Sequence, residues 1–378
     1  MKLVISTDPI QAPMTGIGEY TLRLIEALLA THGVDALYGY NRWGARRLES
    51  APPRPEAFVR QRPDGLARST LRRARRLLGM LAQSRALQRM DGVVYHEPNY
   101  LPARFDGPTV VTVHDLSHLH YPDCHPRLRV RLLTHLLPRV LERAGAIITV
   151  SEFVAREVRE TFGLPAERVH AVHNGVDPGF HPLPAAAVAP TLARHGLSAD
   201  GYVLCLATLE PRKNLDRLLT AFEALPAALQ ARFPLVLAGA PGWRNEALRS
   251  RIERLAASGQ VRYLGYVPAE DRAALYAGAR AFAYPARYEG FGLPPLEAMA
   301  CATPVLTSNV SAMPEVVGEA ALTVDPADAD AIRDGLQRLC EDDPLRERLQ
   351  AAGPARAAGF TWDRCARRTA AVYQQVAA

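Results

Sequence analysis

An α/β architecture of two doubly wound parallel-sheet domains is what this sequence predicts, and three observations carry the prediction. Short apolar runs of strand length alternate with longer amphipathic stretches along almost the whole chain, the pattern of parallel strands covered by helices on both faces. The alternation breaks once, in a proline- and alanine-rich run over residues 178–195 that reads as an interdomain linker, and then restarts. The 378 residues exceed one typical domain and suffice for two cores.

The first strand falls at 3–5; its apolar run is too short for a secretory signal peptide and is expected to enter a core. A loop over 8–17 leads to a helix over 18–30 with Leu22, Ile25, Leu28 and Leu29 on one side. Gly16 and Gly18 at this junction would let a ligand approach the backbone, and a tight turn explains them equally well. After a strand at 36–38 comes a proline- and arginine-rich connection to about residue 65. Residues 66–90 turn helical, with Leu71, Leu77, Leu78, Leu81 and Leu87 among arginines, which fits a helix buried on one face or one lying on an anionic membrane surface. Strands follow at 93–95, 109–113, 146–150 and 169–172. Ligands of doubly wound sheets sit beyond the C-terminal strand ends. That singles out His114 and Asp115 first, then His96 and Glu97, Ser151 and Glu152, and the turn from Asn174 to Asp177.

In the second half strands are expected at 202–206, 235–238, 261–264, 281–284, 304–306 and 321–324, and helices over 328–340, 344–351 and 361–376. The strand ending at Leu206 runs into TLEPRKN (208–214), so Arg212 and Lys213 project beside a helix start, where this architecture holds phosphate. Arginine grips a diphosphate through paired hydrogen bonds and lysine acts as a point charge. The segment YPARYEGFGLPPLEAMA (284–300) reads as strand, glycine-bearing loop and helix, with Pro294 and Pro295 suited to a first turn. The amides of Gly292, Leu293 and Leu296 and the positive helix end favour an anion or a hydroxyl-rich ligand. Glu289 precedes the helix and Glu297 lies within it, so the two contact different parts of one extended ligand; taken alone, the motif also fits an ordinary connection bearing two solvated acids. Tyr266 and Val267 follow another strand at the same rim, available to a nucleobase or to core packing.

Composition narrows the classes. With 48% hydrophobic and 22% charged residues the chain reads as globular, and its net charge of +6 is concentrated in arginines between 42 and 89. Those arginines lack interleaved stacking aromatics, which argues against nucleic acid. Five scattered cysteines without metal-ligand spacing point to a reducing compartment and to neither disulfides nor zinc. No run has the length of a membrane span, no GxSxG or Cys-His pair suggests a nucleophile, and no clustered ligands suggest a metal.

Together, the glycines at 16 and 18, His114-Asp115, NGVD (174–177), Arg212-Lys213 and EGFGLPPLE (289–297) resemble the retaining GT-B glycosyltransferases of the family 4 type over nearly the whole chain. TLEPRKN is similar to the variant found in bacterial mannosyltransferases of surface-polysaccharide pathways. The resemblance implies a division into 1–180, 181–357 and a C-terminal helix 358–378 crossing back to the first domain. It implies that a nucleotide diphosphate sugar lies mainly on the second domain, with Arg212 and Lys213 on the diphosphate, Glu297 on the ribose, and Glu289, Gly290 and the amides of Phe291, Gly292 and Leu293 on the sugar. Tyr266 and Val267 would meet the base. A glycan or lipid-linked acceptor would bind the first domain near Asp115, Ser151 and Asn174, with Gly16, Gly18 and His114 facing the reacting centre across a cleft and the two glycines reaching the donor. His114, Lys213 and Glu289 would be catalytic, with no cofactor and no metal. Expected partners are the donor, the acceptor and an anionic membrane surface met by residues 66–90, and the expected location is cytoplasmic, peripheral at the inner face of the membrane. One departure stands out: many relatives carry an arginine near the position of Ala207, and this chain does not. A GDP-linked mannose or deoxyhexose is the favoured donor; UDP-hexoses, an epimerase of the same fold and a non-catalytic sugar-nucleotide binder stay open.

Overall fold

The computed structural model describes residues 1–12, 14–31, 33–41, 44–55, 87–240, 242 and 246–377. The arginine-rich stretch expected to be helical over 66–90 lies outside the described residues as far as position 86. Two units are present. The first comprises Met1–Leu116, Arg131–Gly175 and the C-terminal segment from Trp362; the second comprises Ser117–Val130 and Val176–Thr361.

The sheet of the first unit is built from β1 (Lys2–Ser6), β2 (Ala36–Asn41), β3 (Gly44–Arg47), β4 (Val93–Glu97), β5 (Thr109–Val113), β6 (Ala146–Thr149) and β7 (Val169–Ala171). Their order is β3-β2-β1-β4-β5-β6-β7, parallel except for the β2–β3 pair. The edge strand β3, sequence GARR, is absent from the sequence-based reading because it lacks an apolar alternation. In the second unit β8 (Val203–Leu206), β9 (Leu235–Ala238), β10 (Val261–Tyr263), β11 (Ala281–Tyr284), β12 (Val305–Ser308) and β13 (Leu322–Val324) are ordered β10-β9-β8-β11-β12-β13, all parallel. Strand order reverses between β1 and β4 in the first sheet and between β8 and β11 in the second, the switch points where such sheets open a crevice.

Two expectations change. Residues 178–195 are not a linker throughout: Ala185–Arg194 is a helix, with Val188 and Leu192 buried. Alanines supply helix propensity and Pro184 occupies the N-cap, so the composition that suggested a linker equally supports a first turn. Arg194 and His195 then reach Asp271, His195 Nε2 at 2.9 Å, fastening the helix to its neighbour. The division also differs from 180/181, because Val176 donates to the Phe360 carbonyl at 3.0 Å and bridges Thr361 within the second unit, and because Ser117–Val130 belongs to that unit. The C-terminal helix does return to the first unit, where Trp362, Ala366, Ala370 and Tyr373 share a core with Leu3, Ile5, Leu24 and Leu28. The Tyr373 hydroxyl lies 2.7 Å from His96 Nδ1, and His96 Nε2 lies 2.8 Å from Thr112 Oγ1. Burial, aided by the nearby His114, lowers the His96 pKa to about 3, so this residue is a neutral core connector.

Candidate active site

The second switch point explains why Lys213 and Glu289, 76 positions apart, meet. β8 and β11 are adjacent, so the loop after β8, carrying Arg212 and Lys213, lies beside the loop after β11, carrying Glu289. Backbone and side chain bind the two loops together: the Arg287 amide donates to the Arg212 carbonyl at 2.9 Å, and Asn214 Nδ2 donates to the carbonyls of Pro285 at 2.9 Å and Pro326 at 2.7 Å. Asn214 adopts φ 63°, a left-handed conformation that asparagine tolerates better than most residues.

Lys213 and Glu289 are both buried and form an ion pair. Lys213 Nζ also donates to the Tyr284 hydroxyl at 2.9 Å, which donates in turn to Glu289 Oε1 at 2.9 Å. Arg212 Nη1 stands 3.4 Å from Glu289 Oε2, its Nε donates to Glu210 Oε2 at 3.1 Å, and Ser311 Oγ accepts from the Glu289 amide at 3.1 Å. Burial pushes the Glu289 carboxyl up, but the charges of Lys213 and Arg212 and the hydrogen bonds from Lys213 and Tyr284 outweigh it and hold the group below the usual carboxylate range. Two cations and two carboxylates thus balance at the end of β8. An incoming dianion changes that balance and competes for Lys213.

The helix Leu293–Ala300 begins next to this cluster, with Gly292 as N-cap at φ 113°. The Leu296 amide donates to the Gly292 carbonyl at 3.3 Å, so it is not one of the spare amides the sequence suggested; with Pro294 and Pro295 lacking N–H groups, Gly292 and Leu293 are the first-turn donors. Glu297 is buried farther along, where its Oε2 accepts from Tyr276 at 2.9 Å and its Oε1 lies 3.8 Å from Arg272 Nη1. Separate partners therefore hold the two glutamates. Val267 is buried, while Tyr266 is exposed beyond β10, the sheet edge two strands from the switch point.

In the first unit, His114 and Asp115 follow β5. His114 Nε2 donates to the Pro98 carbonyl at 2.7 Å, and its ring meets Tyr20 edge-on at 4.9 Å. The Tyr100 hydroxyl donates to Asp115 Oδ1 at 3.2 Å, drawing the ends of β4 and β5 together. Gly18 is demanded by its own loop, because a Cβ there would fall 2.7 Å from the Pro9 carbonyl oxygen, whereas Gly16 faces open space. Ser151 is fully buried and caps the helix Glu152–Phe162 by accepting from the Val154 amide at 3.1 Å, a structural duty. Asn174 is buried with no partner for Oδ1 among the described residues. Sequence reasoning assigned no role to Tyr284, Tyr276 and Asn214; Tyr284 was legible only as the last inward residue of a strand. Glu97 was noted only for its position. Burial pushes its carboxyl up to about 8 despite hydrogen bonds from Tyr95 at 2.9 Å and the Asn99 amide at 3.0 Å, so the group is largely neutral at pH 7.

Two doubly wound parallel-sheet units are the architecture of the GT-B glycosyltransferases. Residues 14–180 match the family described as Glycosyltransferase Family 4, and residues 193–356 match Glycosyl transferases group 1. The chain is 39% identical to O-antigen chain mannosyltransferase B of Escherichia coli, over 99% of this chain and 100% of the relative. It is 35% identical to the serotype-specific mannosyltransferase WbdA of Escherichia coli over 67% of this chain and 32% of that longer protein. Among solved structures it superposes on sucrose-phosphate synthase from Thermosynechococcus elongatus with TM-score 0.76 at 22% identity, covering 99% of both chains. WaaG, a glycosyltransferase involved in lipopolysaccharide biosynthesis, gives 0.72 at 17% identity, over 98% of this chain and 99% of its own. This chain belongs to the family 4 glycosyltransferases.

Proposed function

We propose that this enzyme transfers mannose, or a related deoxyhexose, from a GDP-linked donor to a glycan or lipid-linked acceptor in O-antigen-type polysaccharide synthesis, with retention of anomeric configuration. One observation carries the reading: Arg212, Lys213 and Glu289 converge at the switch point beside a helix N-terminus, in a chain 39% identical over its length to an O-antigen mannosyltransferase. On donor binding Lys213 exchanges Glu289 for the diphosphate, and the carboxylate thus released accepts from the sugar hydroxyls. As the glycosidic bond breaks, negative charge develops on the diphosphate, where Arg212, Lys213 and the Gly292 and Leu293 amides stabilise it. Glu297 holds the ribose hydroxyls. Gly16 and Gly18 of the first unit reach the donor, Asp115 belongs to the acceptor side and His114 faces the reacting centre. The acceptor hydroxyl attacks from the face the leaving group vacates, and its proton passes to the departing diphosphate oxygen. The protein works in the cytoplasm, at the inner face of the membrane.

A thermal-shift screen of GDP, UDP and their hexose conjugates tests the donor, because a ligand that binds only the folded state raises the midpoint. GDP and GDP-mannose are expected to give the larger shifts. A response confined to the uridine series would redirect the base assignment.

A further inference from the structure

Glu297 is buried, and two residues of one neighbouring helix hold it. Arg272 and Tyr276 lie four residues apart on the helix Ala269–Ala277, so they share the face turned toward Glu297 on the helix Leu293–Ala300. Tyr276 donates to Oε2 at 2.9 Å, and Arg272 Nη1 stands 3.8 Å from Oε1. Burial, reinforced by the Glu297 charge, pushes the Tyr276 phenol well up, so near neutral pH its hydroxyl stays protonated and donates. The Arg272 contact is of another kind. Beyond hydrogen-bond length, it acts as a charge that favours the ionised carboxylate, and an ionised carboxylate is an acceptor only.

The cation is itself braced. Its guanidinium lies 5.7 Å from the centre of the Phe180 ring, and the same ring meets Tyr276 edge-on at 5.8 Å. Phe180 therefore supports both partners of Glu297. The turn at the end of NGVD places it: Asp177 Oδ1 accepts from the Gly179 amide at 2.8 Å, and the Phe180 amide donates to the Asp177 carbonyl at 2.9 Å. Asp177, Phe180, Arg272, Tyr276 and Glu297 all belong to the second unit. We propose that Arg272 is a positioning residue for donor selection. With Tyr276, and braced by Phe180, it holds Glu297 as an ionised, oriented acceptor for the paired hydroxyls of a ribose, and so sets a preference for ribonucleotide over deoxyribonucleotide donors. The inference rests on the assignment of Glu297 to the ribose. Arg212 and Lys213 stand in the separate cluster around Glu289, so Arg272 acts on the other end of the donor from the diphosphate.

Isothermal titration of the full chain with GDP, 2′-deoxy-GDP and 3′-deoxy-GDP, with the uridine series in parallel, separates this role from the assignment beneath it. The wild type is expected to bind each deoxy form on the order of thirtyfold more weakly, the loss of one hydrogen bond to a charged group. Arg272→Met weakens the ribonucleotide on the order of tenfold and leaves the deoxy forms nearly unchanged, so the ratio falls to about threefold. Arg272→Lys restores most of the ratio, and Phe180→Leu, which keeps both charges, lowers it severalfold. Unchanged thermal midpoints of the unliganded variants will show that they fold. A wild type that binds ribo- and deoxynucleotides alike sinks the ribose assignment, and the inference with it. Discrimination that Glu297→Gln abolishes but Arg272→Met retains overturns the role of Arg272 alone. So does equal weakening of all three nucleotides by Arg272→Met, which would place the guanidinium on the phosphates or in the fold. An undiminished ratio in Phe180→Leu overturns the bracing, whether or not Arg272→Met folds.

Discussion

Lys213 and Glu289 are expected to stabilise the second unit as a pair, and a double-mutant cycle measures that coupling. Replacing Glu289 by Leu leaves Lys213 buried with the Tyr284 hydroxyl at 2.9 Å and the like charge of Arg212 acting on it. An uncompensated buried charge of this kind costs about 3–5 kcal/mol. Lys213→Met is milder, because Glu289 keeps Arg212 at 3.4 Å and the Tyr284 hydrogen bond at 2.9 Å; about 2 kcal/mol is expected. The double variant removes both charges and should lie within about 1–2 kcal/mol of wild type, so the coupling is on the order of 3 kcal/mol. The carboxyl of Glu289 is depressed in the folded state, so its stabilisation is complete above the ordinary glutamate pKa and is lost as pH falls through the lower folded value. Urea unfolding at pH 7 therefore reads the whole effect. Additive single effects would refute the pairing.

Further outcomes follow from the same geometry. Glu97 is raised to about 8, so folding favours its protonated form: the stability it confers is complete below the unfolded pKa and lost as pH rises through 8, a span on the order of 5 kcal/mol. Glu97→Gln should therefore gain stability over wild type between pH 5 and pH 8 in urea titrations; parallel pH profiles would contradict this. Tyr276→Phe removes the 2.9 Å donor to Glu297 and should cost about 1–3 kcal/mol while raising the donor KM more than it lowers kcat. An unchanged KM would detach Glu297 from the donor. Gly292→Ala brings a Cβ within 2.3 Å of Met313 Cε at φ 113° and should cost more than about 1 kcal/mol, only partly recovered by adding Met313→Ala. Full recovery would mean that the backbone angle contributes nothing.

Much of this arrangement was legible because parallel sheets write strands as apolar runs and hold ligands at strand ends. That logic located Arg212, Lys213, Glu289 and His114 before their contacts were known. It did not reveal that Lys213 and Glu289 would face each other, since spacing along the chain says nothing about strand order, and the meeting depends on β8 lying beside β11. Tyr284 and Tyr276 escaped because a buried strand or helix tyrosine looks like packing until its hydroxyl finds a carboxylate. Ser151 reads two ways in sequence, because a serine after a strand is also a helix N-cap, and its hydroxyl caps the helix that follows. The helix Ala185–Arg194 was underread because proline at an N-cap and proline in a linker look alike in sequence.

The most direct measurement incubates the wild type, Lys213→Ala and Glu289→Ala with GDP-mannose and a lipid-linked oligosaccharide acceptor, and reads the anomeric linkage of the product by NMR. The expected result is an α-linked mannosyl product with release of GDP, and a loss of turnover of about a hundredfold or more in both variants with unchanged circular dichroism. Isomerised donor, binding without transfer, an inverted linkage, or near-normal turnover by both variants would contradict the account.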